Sequence, residues 1–204
     1  MSDGPGSDAA SGDSQLDEPD VWLVRHGETE WSRSGQHTGL TDLAMTASGE
    51  DAARALGGLL AGTPFDLVLC SPLGRARRTA ELAGFTQVQI EPDLIEWDYG
   101  DYEGRTRKDI HSERPDWSIW TDGAPNGETP DQVTARMDRV VATCRAAGGR
   151  VLLFLHGHAL RALAARWIAQ PVTVGAHLPL DTAKVSVLGH DRGTSTIDRW
   201  NATQ

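Results

Sequence analysis

Short unbroken apolar runs alternate along this chain with longer segments of helical period. Val21-Trp22-Leu23-Val24 stops abruptly at Arg25-His26-Gly27, the pattern of a strand buried on both faces, as in a parallel sheet covered by helices. Phe65-Asp66-Leu67-Val68-Leu69-Cys70 ends at Ser71-Pro72, and Val151-Leu152-Leu153-Phe154-Leu155 ends at His156-Gly157-His158. Between them, Thr46 as a cap, Glu50 in the first turn and Ala52, Ala53, Leu56, Leu59 and Leu60 at helical spacing predict a helix. Others are predicted from Arg75 to Ala83, from the Asn126–Pro130 turn to about Ala147 with Val133, Met137, Val140 and Val141 on one face, and from Ala159 to Ala169. Val88–Ile90 is a weak strand, and strands around Val185–Leu188 and Thr196–Trp200 close the chain. Glu28–Thr46 reads as a long polar loop. Residues 91–127, with Trp97, Tyr99, Tyr102, Trp117 and Trp120 among polar groups, read as an insertion of loops and short helix, aromatic enough to wall a pocket. Strands alternating with helices predict a three-layer α/β/α sandwich around a mostly parallel sheet. Ligands of such sheets bind beyond the carboxyl ends of the strands, where the strand order reverses. The two strand-His-Gly units are therefore expected to bring His26 and His156 to one site.

Composition narrows the class. A chain of 204 residues accommodates one such domain, assigned to residues 20–204, with residues 1–19 as a disordered acidic tail too poor in apolar side chains to order itself. The formal net charge is −10, and Asp3, Asp8, Asp13, Asp17, Glu18 and Asp20 account for six of those charges, which leaves the body at −4. That balance, with no basic run, argues against a nucleic-acid partner. No stretch is long and apolar enough for a membrane span, and no secretory n-region and h-region open the chain. A cytoplasmic protein is expected. Cys70 and Cys144, in apolar strand and helix patterns, read as reduced core residues rather than a disulfide.

A histidine beside an arginine at a strand end serves as acid, base, metal ligand or nucleophile, and its neighbours decide. His156-x-His158 has the spacing of paired metal ligands, but Arg25 beside His26 repels a cation and no Cys or acidic cluster accompanies the pair. Arginine favours an anion and holds phosphate oxygens in bidentate fashion. Cations also favour the neutral imidazole that attacks phosphorus, and such attack yields a phosphohistidine that water opens. A phosphoryl group needs more than one cation. Arg75, nearest the end of the second strand, is the best second candidate; Arg77 and Arg78 read as solvated helix residues. Glu96, between Ile95 and Trp97, is the candidate proton donor for the leaving alkoxide.

With Ser71-Pro72-Leu73-x-Arg75-Ala76, Glu96-Trp97-x-Tyr99-Gly100 and His156-Gly157 following Arg25-His26-Gly27 in order, the chain resembles the histidine phosphatase superfamily over roughly residues 20–170. The resemblance implies a phosphoglycerate mutase-like fold, His26 as nucleophile, and Arg25, Arg75 and His156 as the phosphate pocket. It also implies Glu96 as the general acid that later activates water, with no metal or other cofactor. Glu30-Trp31-Ser32-x-Ser34-Gly35-Gln36-x-Thr38-Gly39-Leu40-Thr41-Asp42-Leu43, Tyr99-Gly100-Asp101-Tyr102-Glu103-Gly104 and His156-Gly157-His158-Ala159-Leu160-Arg161 resemble the sedoheptulose-bisphosphatase-like and acid-phosphatase-like branch. That match adds Ser32, Thr38, Gly39 and Gly157 to the expected substrate contacts; Ser32 stands where many relatives carry Asn. The long insertion that mutases usually carry after Glu-x-x-Tyr-Gly is missing.

The expected function is a metal-independent phosphomonoesterase acting on small phosphorylated metabolites, sugar phosphates or bisphosphates, through phospho-His26. A phosphoglycerate mutase and a non-catalytic phosphate-ligand module are the alternatives. His158 is left between orienting His156 and meeting substrate. Arg33, His37, Arg105, Lys108 and Arg161 each read singly as solvated charges, though a second phosphate would suit them. The sequence admits a homodimer without requiring one.

Overall fold

The computed structural model describes residues 18–202, so the expected tail falls, up to residue 17, outside the described residues. The elements are β1 (Asp20–Arg25), α1 (Glu30–Ser34), α2 (Ala47–Leu60), β2 (Leu67–Cys70), α3 (Gly74–Leu82), β3 (Gln89–Ile90), α4 (Arg107–Glu113), α5 (Ile119–Asp122), α6 (Pro130–Ala147), β4 (Arg150–Leu155), α7 (Gly157–Trp167), β5 (Val185–Asp191) and β6 (Thr194–Ala202). The strands form one six-stranded sheet in the order β3-β2-β4-β1-β5-β6. The first four are mutually parallel, while β5 and β6 run antiparallel at the other edge. The mostly parallel α/β/α sandwich expected from the alternation is the observed fold.

The period-two alternation of each strand divides the core in two. Leu23, Leu69, Val151, Leu153 and Leu155 face α6 and α7. Val24, Cys70, Leu152, Phe154 and Val185 face α2 and α3 through Leu56, Leu60, Ala76 and Ala80. Both faces of the central strands are thus covered, which is why their sequences read as continuous apolar runs. No helix among the described residues is long and apolar enough to cross a membrane.

The chain leaves β1 toward β2, past β4 on one side, and leaves β4 toward β5, past β1 on the other. The adjacent pair β1–β4 is therefore the point where the order reverses, and a ligand crevice belongs beyond its carboxyl ends. Their register pairs Arg25 with Leu155, so His26 and His156 emerge from neighbouring strands at the same level.

Two expectations are revised. The polar stretch Glu28–Thr46 contains α1, a short helix with no buried residue, held by a reciprocal cap between Thr29 and Ser32. Apolar periodicity has nothing to detect in such a helix. The helix expected from Ala159 instead begins at Gly157, because its first N–H groups find an acceptor far away in sequence.

Candidate active site

His26 follows the last residue of β1 and is buried. Its Nδ1 lies 2.7 Å from the Gly27 carbonyl. A carbonyl only accepts, so Nδ1 carries the hydrogen and Nε2 presents a bare lone pair. Burial first, then the charges of Arg25 and Arg75, holds this ring well below the usual imidazole pKa, which keeps Nε2 unprotonated at neutral pH. Gly27 permits the turn: a Cβ there would stand 2.4 Å from the Gly49 carbonyl oxygen and 2.6 Å from Met45 Sδ. The Gly27 N–H donates to Thr79 Oγ1 at 3.0 Å, and Thr79 Oγ1 in turn donates to the Arg75 carbonyl at 2.8 Å.

Arg75, in the first turn of α3, is fully enclosed. Its Nε donates to His156 Nδ1 at 3.2 Å, Nη1 to the Thr41 carbonyl at 2.9 Å, and Nη2 to the carbonyls of Thr38 and Gly39 at 3.1 and 2.8 Å. Because His156 Nδ1 accepts, its hydrogen sits on Nε2 and is donated to Ser71 Oγ at 2.7 Å. Burial and Arg75 push the His156 pKa well down. The rings of His26 and His156 stand 5.1 Å apart between centroids. The strand-end histidines do meet, over a buried guanidinium.

Arg25 extends along the opposite side, where Nη1 donates to the Leu180 carbonyl at 2.5 Å. Its Nε is buried and has no hydrogen-bond partner among the described residues. The guanidinium lines the same cavity as the bare His26 nitrogen, a pairing that suits an anionic oxygen. Gly157 keeps this space open, since a Cβ there would press to 3.3 Å on Arg25 Cζ.

Glu96 joins the floor to the aromatic wall. Its Oε1 accepts from the N–H groups of Trp97 and Ala159, both at 2.8 Å, and its Oε2 accepts from the His158 N–H at 3.0 Å. The carboxylate thereby caps α7, whose own N-cap, His156, offers no side-chain bond. Oε1 is saturated, while Oε2 retains a free lone-pair position.

The resulting cavity, of about 180 Å³, is lined by Arg25, His26, Ser32, Thr38, Glu96 and Gly157 among the residues singled out in the sequence. Arg75, His156 and Gly39 do not line it. The first two lie beneath with their polar groups committed, and the Gly39 N–H is held by Glu103 at 2.9 Å. Ser32 lies at the rim, its hydroxyl accepting from the Thr29 N–H at 2.8 Å. His37, Tyr99, His158 and Arg161 also line the cavity. His37 and Arg161, read singly as solvated charges, are instead half-buried. For His37 the missed signal was its place two residues before the Gly39 turn that Arg75 grips. Arg33 and Arg105 do pair at the surface, with Glu30 and Glu113. Among the described residues no cluster of three or more His, Cys, Asp or Glu side chains is arranged to hold a metal ion.

The sequence model of the histidine phosphatase superfamily (branch 1) matches residues 21–203. The chain belongs to that superfamily. It is 41% identical over 179 residues to an acid phosphatase of Mycobacterium tuberculosis, covering 86% of this chain and 88% of the relative. To sedoheptulose 1,7-bisphosphatase of Saccharomyces cerevisiae it is 38% identical over 183 residues, covering 73% of this chain and 67% of that protein. A solved structure of a Mycobacterium tuberculosis open reading frame product superposes with a TM-score of 0.86 at 39% identity, covering 90% of this chain and 97% of the other.

Proposed function

We propose that this protein hydrolyses phosphomonoesters of small metabolites, without a metal, through a phosphohistidine on His26. The observation that carries the reading is that His26 with its bare Nε2, the Arg25 guanidinium and Glu96 with the free side of its Oε2 line one small cavity. A phosphoryl group seated on Arg25 is attacked by Nε2; the N–P bond forms as the ester P–O bond breaks, and the leaving oxygen takes the proton of Glu96 Oε2. The Gly27 carbonyl, already bonded to Nδ1–H, stabilises the charge that develops on the ring. Water then attacks phosphorus and gives one proton to Glu96 as the N–P bond breaks with its electron pair returning to Nε2, so that phosphate leaves and His26 is neutral again. Arg75 and His156 act from below: Arg75 adds its charge to the burial and the Arg25 charge that keep His26 unprotonated, it fixes the His156 tautomer, and its enclosed charge offsets that of the phosphoryl oxygens. The relatives named as acid phosphatase and sedoheptulose bisphosphatase support a sugar phosphate or bisphosphate as substrate. The buried free thiols of Cys70 and Cys144 support a cytoplasmic setting.

The test is phosphate release from a panel of phosphorylated metabolites, with and without chelator, by the wild type and by His26→Ala. Expected are turnover indifferent to chelator in the wild type and its loss in the variant. Interconversion of 2- and 3-phosphoglycerate without phosphate release would make the protein a mutase, and substantial activity in His26→Ala would remove His26 as nucleophile.

A further inference from the structure

A second hollow of about 250 Å³, walled by Trp117 and Trp120, shares His37, His158 and Arg161 with the phosphate-sized cavity. The two histidines at this junction have fixed and opposite hydrogen-bonding faces. His37 Nδ1 lies 2.8 Å from the Arg105 carbonyl and must donate to it, so His37 Nε2 is a bare acceptor. Tyr99 Oη lies 2.7 Å from His158 Nδ1. Among the described residues that nitrogen is the phenol's one acceptor, so the Tyr99 hydroxyl donates to Nδ1 and His158 carries its hydrogen on Nε2. One ring offers an acceptor and the other a donor, with centroids 6.2 Å apart and planes tilted by 26°. Burial lowers the pKa of both rings, which keeps this pattern intact at neutral pH.

We propose that His37 and His158 form a subsite that reads a hydroxyl on the carbon chain next to the phosphoester. A hydroxyl accepts from one partner and donates to another, which is what His158 Nε2–H and His37 Nε2 require. A second phosphate dianion or a carboxylate satisfies His158 but sets a lone pair against His37. An alkyl chain leaves both nitrogens without partners. Of the two arginines that line the second hollow, Arg161 has its Nε and Nη2 committed to the Gly175 and Ala176 carbonyls at 2.8 and 3.2 Å, with its guanidinium 4.8 Å from the centroid of Trp120, and Arg107 Nε lies 3.3 Å from His111 Nε2. This subsite rests on the phosphatase reading and narrows it to esters of hydroxylated alcohols.

The experiment compares glycerol 3-phosphate with propyl phosphate, which has the same carbon chain without the hydroxyls. A site built to bond a hydroxyl rejects the analogue that lacks it. In a cavity open to water we expect a preference in kcat/KM of about 10- to 100-fold for the glycerol ester. His158→Phe and His37→Phe should each collapse this ratio to within about threefold of unity, and His158→Gln, which keeps an N–H donor, should recover part of it. Hydrolysis of both esters with equal efficiency by the wild type overturns the subsite and leaves the phosphatase reading standing. Losses of equal size on both esters in the Phe variants, with the ratio preserved, overturn it as well. Release of phosphate from neither ester by the wild type overturns the phosphatase reading, and the subsite with it.

Discussion

On the floor of the cavity, His26, Arg75 and His156 stand at or just beyond the carboxyl ends of neighbouring parallel strands, and almost every polar atom there has a partner within the protein. On the wall, His37, Tyr99 and His158 come from a turn, an aromatic insertion and the start of α7, and two ring nitrogens are left open. The floor gets its precision from sheet register, which fixes two strand ends side by side. The wall gets its shape from side chains packed on one another, with Trp120 at 5.1 Å and Tyr99 at 5.7 Å from the His158 ring. A rigid floor suits chemistry common to many esters, and a wall with unfilled valences suits selection among them.

The severest test of the floor is Arg75→Met. The substitution leaves the Thr38, Gly39 and Thr41 carbonyls and His156 Nδ1 without a donor and removes the charge under the phosphoryl site. Expected are a fall of about 10³-fold in kcat/KM and a loss of about 3 kcal/mol in urea unfolding. A variant that lost stability alone, with kcat/KM intact in the folded fraction, would reduce Arg75 to scaffolding.

Next comes Glu96→Gln, at the join of floor and wall. Gln keeps an acceptor for the Trp97 and Ala159 N–H groups and loses the transferable proton. Phosphate transfer from alkyl esters should slow by about 10²- to 10³-fold. The nitrophenol burst from nitrophenyl phosphate should be far less affected, since a phenolate departs without protonation. Equal slowing of both would mean that the carboxylate matters for geometry rather than for its proton.

The mostly parallel alternation, the helix faces and the floor were legible because each depends on residues local to one element. Arg25-His26-Gly27 and His156-Gly157 name themselves by following apolar runs, and the parallel alternation is enough to bring them together. The wall depends on hydrogen bonds between positions far apart in sequence, such as Tyr99 to His158 and His37 to Arg105. No spacing encodes those tautomers. The commitment of Arg75 to loop carbonyls was invisible for the same reason, as was α1, which has no apolar face. One signal was present and unread: His156-Gly157-His158 opens a helix without a capping side chain, so an acceptor had to arrive from elsewhere, and Glu96 is that acceptor.

Acidification compares the two regions directly. Burial depresses the pKa of His26 and His156 on the floor and of His37 and His158 on the wall. In the unfolded chain these rings titrate near 6.5, so below that pH the unfolded state binds more protons than the native one and stability falls. The urea midpoint should hold between pH 8 and about pH 7 and then decline toward pH 5.5, each ring contributing up to about 1.4 kcal/mol per pH unit. Replacing His37 and His158 together by Asn should flatten that decline. An unchanged slope would show that the wall rings protonate freely in the folded protein and would undo their assigned tautomers.

The smallest effect expected lies outside both regions, in α6. Arg136 is buried; its Nε and Nη2 meet the Glu128 carboxylate at 3.0 and 2.7 Å, and its Nη1 donates to the Asp93 and Ile95 carbonyls, both at 2.7 Å. Glu128 Oε2 in turn accepts from the Asp98 N–H at 3.0 Å. The bridge therefore grips the chain on both sides of Glu96 without lining the cavity, which under the proposed mechanism would make Arg136 a positioning residue. Lys in its place keeps the charge but not the fork geometry that spans the carboxylate and two carbonyls. Arg136→Lys should lower kcat on alkyl esters by about 3- to 10-fold with KM little changed, because a small misplacement of the proton donor slows transfer more than binding. The nitrophenol burst, which asks for no proton, should stay within about twofold of wild type. Were the alkyl and nitrophenyl rates to fall together, Arg136 would be holding the fold and not the donor, and the floor would owe nothing to α6.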